Sequence, residues 1–280
     1  MRVRILSDLH IDVNKRYPFS MKKDDVFTVL AGDISGDPLT TIEWVKNNIN
    51  EGILVAGNHI VYNHREKTLP ELKRELVSAF SFPSPVSFLD ANVGNLFARK
   101  KENVLFLGST FYVDGKLEHN RNPIGYQHIN ERYILNSIND FVWGSHGMKY
   151  RLSPRDYFNM NEETVEKFDE ALAKNESSEN LPVVIVTHFC PSKKFIHPYY
   201  EFSDSNAAFI SDFEWFIEKH PSIKAWVCGH VHSRVFDKYT RKDSSECLLL
   251  CNPRGYCGAY EDKDWNPNVF LDTETWTIEK

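Results

Sequence analysis

Several things this chain lacks narrow its class before any motif is read. No stretch approaches the roughly 18 to 20 apolar residues that a membrane-spanning helix needs. Positive charge is not in excess: 33 Lys and Arg against 39 Asp and Glu leave a formal net charge of −6. Strong nonspecific binding to nucleic acid or to an anionic membrane therefore has no electrostatic motive, although a local basic groove stays open. Cysteine is scarce, with five in the chain, and no two of them make a C-x-x-C zinc or redox pair. Cys228, Cys247 and Cys251 lie in or beside apolar runs, where a free thiol behaves as a small hydrophobe, so the usage reads as a reducing, cytoplasmic setting. Val3, Ile5 and Leu6 already look like a strand, and no secretory leader is expected. Internal repeats and low-complexity tracts are missing too.

What is present is ordinary for a soluble globular protein: 280 residues, 41% hydrophobic and 26% charged. Short runs rich in β-branched and aliphatic residues at 2–7, 26–31, 53–56, 104–107, 183–187, 224–228, 247–251 and 269–271 predict strands. Several are continuously apolar, as expected of strands covered on both faces. Between them, helical spacing links Ile42, Val45 and Ile49; Leu69, Leu72, Leu76 and Phe80; Val165, Phe168 and Leu172; and Phe209, Phe213, Phe216 and Ile217. The aromatic stripe of the last is expected to be core. Ser153 before Pro154 reads as a helix start, and the polar run at 175–180 as a solvated loop. Alternating strands and helices predict one α/β domain over 1–280. Residues 112–150 resist that scheme, mixing Gly, Pro and Asn with aromatics and with His119, His128 and His146. An insertion over an active site and plain surface packing are its two readings.

Chemistry collects where the strands end. WVCGHVHS (226–233) places His230 and His232 one residue apart, a pair that alone is more often two ordinary surface histidines than a metal site. Comparable polar groups follow other strands: Asp8 and His10, Asp33, Asn58 and His59, and His188. In an open α/β sheet ligands gather outside the carboxyl ends of the strands, so these distant groups are expected to converge. Oxygen and nitrogen donors without thiolate suit Mn, Fe, Zn or similar divalent ions rather than a calcium cage or a structural zinc knot. Seven of these eight taken as ligands are too many for one ion and suit two, about 3.5 to 4 Å apart and sharing a carboxylate.

In this order, D-x-H, G-D, G-N-H, a strand-terminal His and G-H-x-H resemble the calcineurin-like metallophosphoesterase superfamily. The motifs run from residue 8 to residue 232. The resemblance implies a four-layer α/β/β/α sandwich with two divalent cations, manganese first and iron, zinc, nickel or magnesium as alternatives. It assigns Asp8, His10 and His232 to one ion, Asn58, His188 and His230 to the other, and Asp33 to both. His59 resembles the family's active-site histidine, placed as general acid to protonate the departing oxygen or to steady the phosphoryl group. The implied reaction is attack of a metal-bridging hydroxide on a phosphomonoester or phosphodiester in a small or nucleotide-like substrate. Alternatives are a nuclease or nucleic-acid end-processing enzyme on the same centre, or a non-catalytic scaffold, against which the retention of all eight positions stands.

The chain departs from the protein Ser/Thr phosphatases of that superfamily, which carry G-D-x-x-D-R-G and G-N-H-E. Here the stretches read GDISGDP (32–38) and GNHIVYNH (57–64), so Gly36 and Ile60 stand where acids would be. That argues against a protein phosphatase and leaves His59 without its orienting acid, for which Asp37 is the candidate. Gly229 is expected to permit a sharp exit from its strand. Arg254, in the NPRGY of 252–256, is the leading candidate for gripping substrate phosphate, with Lys193, Lys194 and Arg65 behind it.

Overall fold

Alternate residues of a strand face opposite sides, so a strand that is apolar throughout must be covered twice. The fold is the solution to that constraint. The computed structural model describes residues 1–62, 64, 66–94, 96–117, 126–141, 151–258 and 265–280, with only the backbone for 126–129. Arg65, His119 and His146 lie outside the described residues, as does the side chain of His128. The strands are β1 (Arg2–Leu6), β2 (Phe27–Ala31), β3 (Gly52–Val55), β4 (Val86–Phe88), β5 (Ala98–Lys101), β6 (Val104–Ser109), β7 (Val183–Thr187), β8 (Ile223–Cys228), β9 (Val235–Thr240), β10 (Glu246–Cys251), β11 (Phe270–Asp272) and β12 (Thr277–Glu279). The helices are α1 (Pro38–Asn48), α2 (Leu69–Ala79), α3 (Tyr126–Ser137), α4 (Pro154–Glu176) and α5 (Glu214–Lys219).

Two six-stranded sheets result, ordered β12-β11-β1-β2-β3-β4 and β5-β6-β7-β8-β10-β9. The run β1 to β4 is parallel, as is β6-β7-β8-β10. The strands β11, β12, β5 and β9 join antiparallel. Val3, Ile5, Val29 and Ile53 of the first sheet meet Phe106, Val184, Val186 and Val227 of the second in a core between the sheets. The intervening residues face outward: Leu6, Leu30 and Leu54 pack against Val45 of α1 and Leu72 and Leu76 of α2. On the other side Ile185 and Trp226 pack with Phe168 and Leu172 of α4 and Phe216 and Ile217 of α5. The order of layers is α/β/β/α, as the family resemblance implies.

Helix starts follow their caps. The Asp37 carboxylate accepts the Thr40 N–H ahead of Pro38, while Thr68 with Glu71 and Ser153 with Asp156 form capping boxes. Two expectations need correction. The run at 175–180 is not all loop: α4 continues through Glu176, and the buried Asn175 amide bonds to both the N–H and the carbonyl of Leu181. The aromatic stripe is not one helix either, because α5 is short and Phe209 precedes it, after a 3-10 turn at Asp204–Ala208. Within 112–150, Ile134, Ile138 and Phe141 are buried against the core that holds α1 and α2. Among the described residues, no helix is long and apolar enough to cross a membrane.

Candidate active site

Each expected ligand stands within a few residues of a strand's carboxyl end, and the backbone there bends sharply. Asp8, His10, Asp33, His230 and His232 all have positive φ, at 51, 43, 51, 71 and 49°. The left-handed region is costly for non-glycine residues and tends to be occupied at functional sites, where the surroundings enforce it. Here the enforcement is visible. Asp8 N–H donates to the Gly32 carbonyl and His10 N–H to that of Asp33, both at 3.0 Å. The His188 Nδ1–H donates across the sandwich to the Ala31 carbonyl at 3.0 Å, and His230 N–H donates to the Asp8 carboxylate at 3.0 Å.

Gly229 has a different task from the one expected of it. It is not among the positive-φ glycines. A Cβ there would stand 2.6 Å from Asp8 Oδ2 and 2.8 Å from the Ala31 carbonyl, so the position demands closeness rather than backbone freedom. Gly57 likewise leaves no room for a Cβ, which would overlap the Asp33 carboxylate.

All seven expected ligands come together, in two groups. In one, His10 Nε2 lies 2.9 Å from His232 Nε2, His232 Nε2 lies 3.4 Å from Asp8 Oδ1, and His10 Nε2 lies 3.9 Å from both Asp8 Oδ1 and Asp33 Oδ2. In the other, His188 Nε2 lies 3.3 Å from Asp33 Oδ2 and 2.9 Å from Asn58 Oδ1, which is 3.1 Å from His230 Nδ1. Asp33 Oδ2 belongs to both groups.

These donors fit divalent cations. Bonds of about 2.0 to 2.2 Å put neighbouring ligand atoms about 3.0 to 3.5 Å apart. The lone pairs also demand something between them. His188 spends its Nδ1–H on a carbonyl, so in the neutral ring Nε2 is an acceptor, and it faces the oxygen of Asn58. Burial opposes a charged ring there, yet the Asp33 and Asp8 carboxylates push the His188 pKa up to about 9. His10 behaves oppositely, held down to about 3 by burial against the pull of Asp33. Burial works against the charged Asp33, but His188, His59 and His10 keep its carboxyl well below the usual range.

His59 is the second residue of the 3-10 turn Asn58–Val61. Its N–H donates to Asp33 Oδ1 at 3.1 Å, and its ring stacks on Tyr62 with centroids 4.0 Å apart. Asp37 does not orient it: that carboxylate accepts both the N–H and the hydroxyl of Thr40 and faces His64 at 3.3 Å. His59 Nε2 lies 2.9 Å from the Tyr256 hydroxyl and 3.8 Å from Asp33 Oδ2. Burial, then Asp33 and Asp8, push the Tyr256 pKa up, so the hydroxyl stays neutral.

Arg254 is not at the site. Its guanidinium is buried between the rings of Phe19 and Trp265 at 5.3 and 5.6 Å and donates to the Tyr17 carbonyl. Lys193 and Lys194 pair with Asp212 and Asp237 at 3.3 and 3.4 Å. Beside the donor cluster instead lies a cavity of about 390 Å³, whose walls include Tyr62, Phe195, Tyr200, Phe209, Asn139 and Tyr256. Phe209, read from the sequence as core, stacks on His230 at 5.1 Å.

Sequence reasoning also missed a buried carboxylate. Asp140 accepts from Asn58 Nδ2 at 2.8 Å and from the Tyr157 hydroxyl at 2.7 Å. It lies in the stretch without sustained period, where nothing local marks it.

A family model described as calcineurin-like phosphoesterase matches residues 1–234. Among curated proteins none matches. The fold is similar to that of a phosphopantetheinyl hydrolase from Mycobacterium tuberculosis, at 17% identity and a TM-score of 0.59, covering 92% of this chain and 93% of that one. A dimetal phosphatase from Danio rerio aligns at 12% identity and a TM-score of 0.46, over 96% of this chain and 91% of its own. Tyr256 falls beyond the family-matched stretch.

Proposed function

The chain belongs to the calcineurin-like phosphoesterase family, a family of metal-dependent phosphoric ester hydrolases, and from that premise we propose that it cleaves a phosphomonoester or phosphodiester bond in a small, nucleotide-like substrate. The observation that carries this reading is the meeting of seven donors in two groups that share Asp33 Oδ2, at the edge of a cavity with aromatic walls. Asp8, His10 and His232 would hold one cation, Asn58, His188 and His230 the other, and Asp33 both. Bound there, two divalent ions neutralise phosphoryl oxygens and activate water; manganese is the first choice.

The remaining work falls to the chain. His59, one face covered by Tyr62, carries the proton for the departing oxygen at Nε2, and the Tyr256 hydroxyl beside it holds the ring in place. The cavity is of the size that encloses small ligands, which range from about 300 Å³ upward. Its aromatic walls suit a flat, uncharged group such as a base attached to the phosphate.

The test is hydrolysis of p-nitrophenyl phosphate and bis-p-nitrophenyl phosphate with added Mn²⁺, followed by nucleotides and cyclic nucleotides. Activity abolished by EDTA and restored by Mn²⁺ is expected, and His59→Asn should lower kcat by about 10² to 10⁴ with metal content unchanged. Metal-loaded protein inert across the panel would overturn the reading.

A further inference from the structure

An asparagine ligand carries an ambiguity that an aspartate, with its two equivalent oxygens, does not. Its oxygen and its NH₂ occupy nearly the same volume, and only the oxygen has lone pairs for a cation. Asn58 must therefore be held one way round. Its Oδ1 lies 2.9 Å from His188 Nε2 and 3.1 Å from His230 Nδ1. Its Nδ2 points the opposite way and donates to Asp140 Oδ1 at 2.8 Å.

Asp140 is fully buried, and a carboxylate only accepts. Turning the Asn58 amide over would set a carbonyl oxygen against that carboxylate and remove the oxygen from the donor group. Asp140 is itself fixed from behind by the Tyr157 hydroxyl at 2.7 Å, from α4, and by the burial of Ile138 and Phe141 on either side. Tyr62, whose ring lies against His59, adds a further hydroxyl to Asp140.

We propose that Asp140 is the positioning residue for the cation held by Asn58, His188 and His230: it fixes the Asn58 amide so that the oxygen, not the nitrogen, faces that ion. This rests on the reading of Asn58 as a ligand. It also gives the segment after α3 a task at the metal centre, reached through Tyr157 on one side and Asn58 on the other.

The experiment is a titration of metal-free protein with Mn²⁺, following stoichiometry and affinity by calorimetry and by metal analysis after dialysis, with thermal melts of the metal-free proteins alongside. Wild type is expected to take up two ions. Asp140→Asn keeps the shape but accepts either orientation of Asn58, and should weaken one ion by about 10- to 100-fold, the usual effect of losing such an outer partner, leaving the other unchanged. The exchanged pair Asn58→Asp with Asp140→Asn, in which the amide now donates to a carboxylate with two equivalent oxygens, should recover most of the lost affinity. Two ions bound by Asp140→Asn with wild-type affinities, or no recovery in the exchanged pair, would overturn the positioning role while leaving the two-cation reading intact. Wild type that binds fewer than two ions would overturn both. A drop in melting temperature with unchanged metal affinity would mark Asp140 as structural only and count as refutation. If the single variant does not fold, the exchanged pair decides by itself, since it should bind two ions.

Discussion

Tyr256 bears on the chemistry only if its hydroxyl matters more when the leaving group is poor, because a good one departs without a proton. The 2.9 Å contact with His59 Nε2 predicts that Tyr256→Phe lowers kcat/KM about tenfold for an alkyl phosphate ester, the worth of one hydrogen bond, and much less for a p-nitrophenyl ester. Equal losses on both substrates would reduce Tyr256 to part of the cavity wall. Asp37 tests the opposite case. As the N-cap of α1 it predicts that Asp37→Ala costs about 1 kcal/mol of stability, measured by chemical denaturation, with turnover unchanged; lost turnover with an intact fold would return it to the site. The eight polar residues of the centre were legible because each follows a strand-like run within four residues, a local signal. Asp140 and Tyr256 were not, since what makes them matter is contact with Asn58 and His59 far along the chain. Arg254 misled because its place after a late strand said nothing of Phe19 and Trp265 closing over it.

At the scale of elements, the strands legible in the sequence are those inside the sheets, and β4, β5, β9 and β12 are the four edges. An edge strand has one neighbour and often an open face, so it needs no apolar run. β5 reads ARKK and β9 reads VFDKYT, both largely exposed or half-buried. The first-sheet edge is tied down by a buried ion pair, Lys73 on α2 to Asp90 just after β4, at 2.7 Å. Removing one partner leaves an uncompensated charge. Lys73→Met is therefore expected to cost about 3 to 5 kcal/mol, and Lys73→Met with Asp90→Asn distinctly less, both read from denaturant midpoints. Equal losses for the single and double variants would show that packing, not charge, fixes α2.

On the scale of the whole molecule, the layer order followed from alternation along the strands, but which sheet each strand joins did not. Nothing local in a parallel strand names its partner. The centre draws on both sheets: Asp8, His10, Asp33 and Asn58 follow β1, β2 and β3, while His188, His230 and His232 follow β7 and β8. Cations bound there would stabilise the folded state by about 2.7 kcal/mol at a hundred times Kd. EDTA should accordingly lower the melting temperature and Mn²⁺ restore it; melting indifferent to both would contradict the two-sheet clasp. The bond from His188 Nδ1 to the Ala31 carbonyl sharpens this into a statement about time. A chain with only one half assembled owns no complete ligand set, so cation capture must come after the halves have met. Refolding should then proceed at the same speed with or without Mn²⁺, while the rate at which the finished protein comes apart falls in its presence.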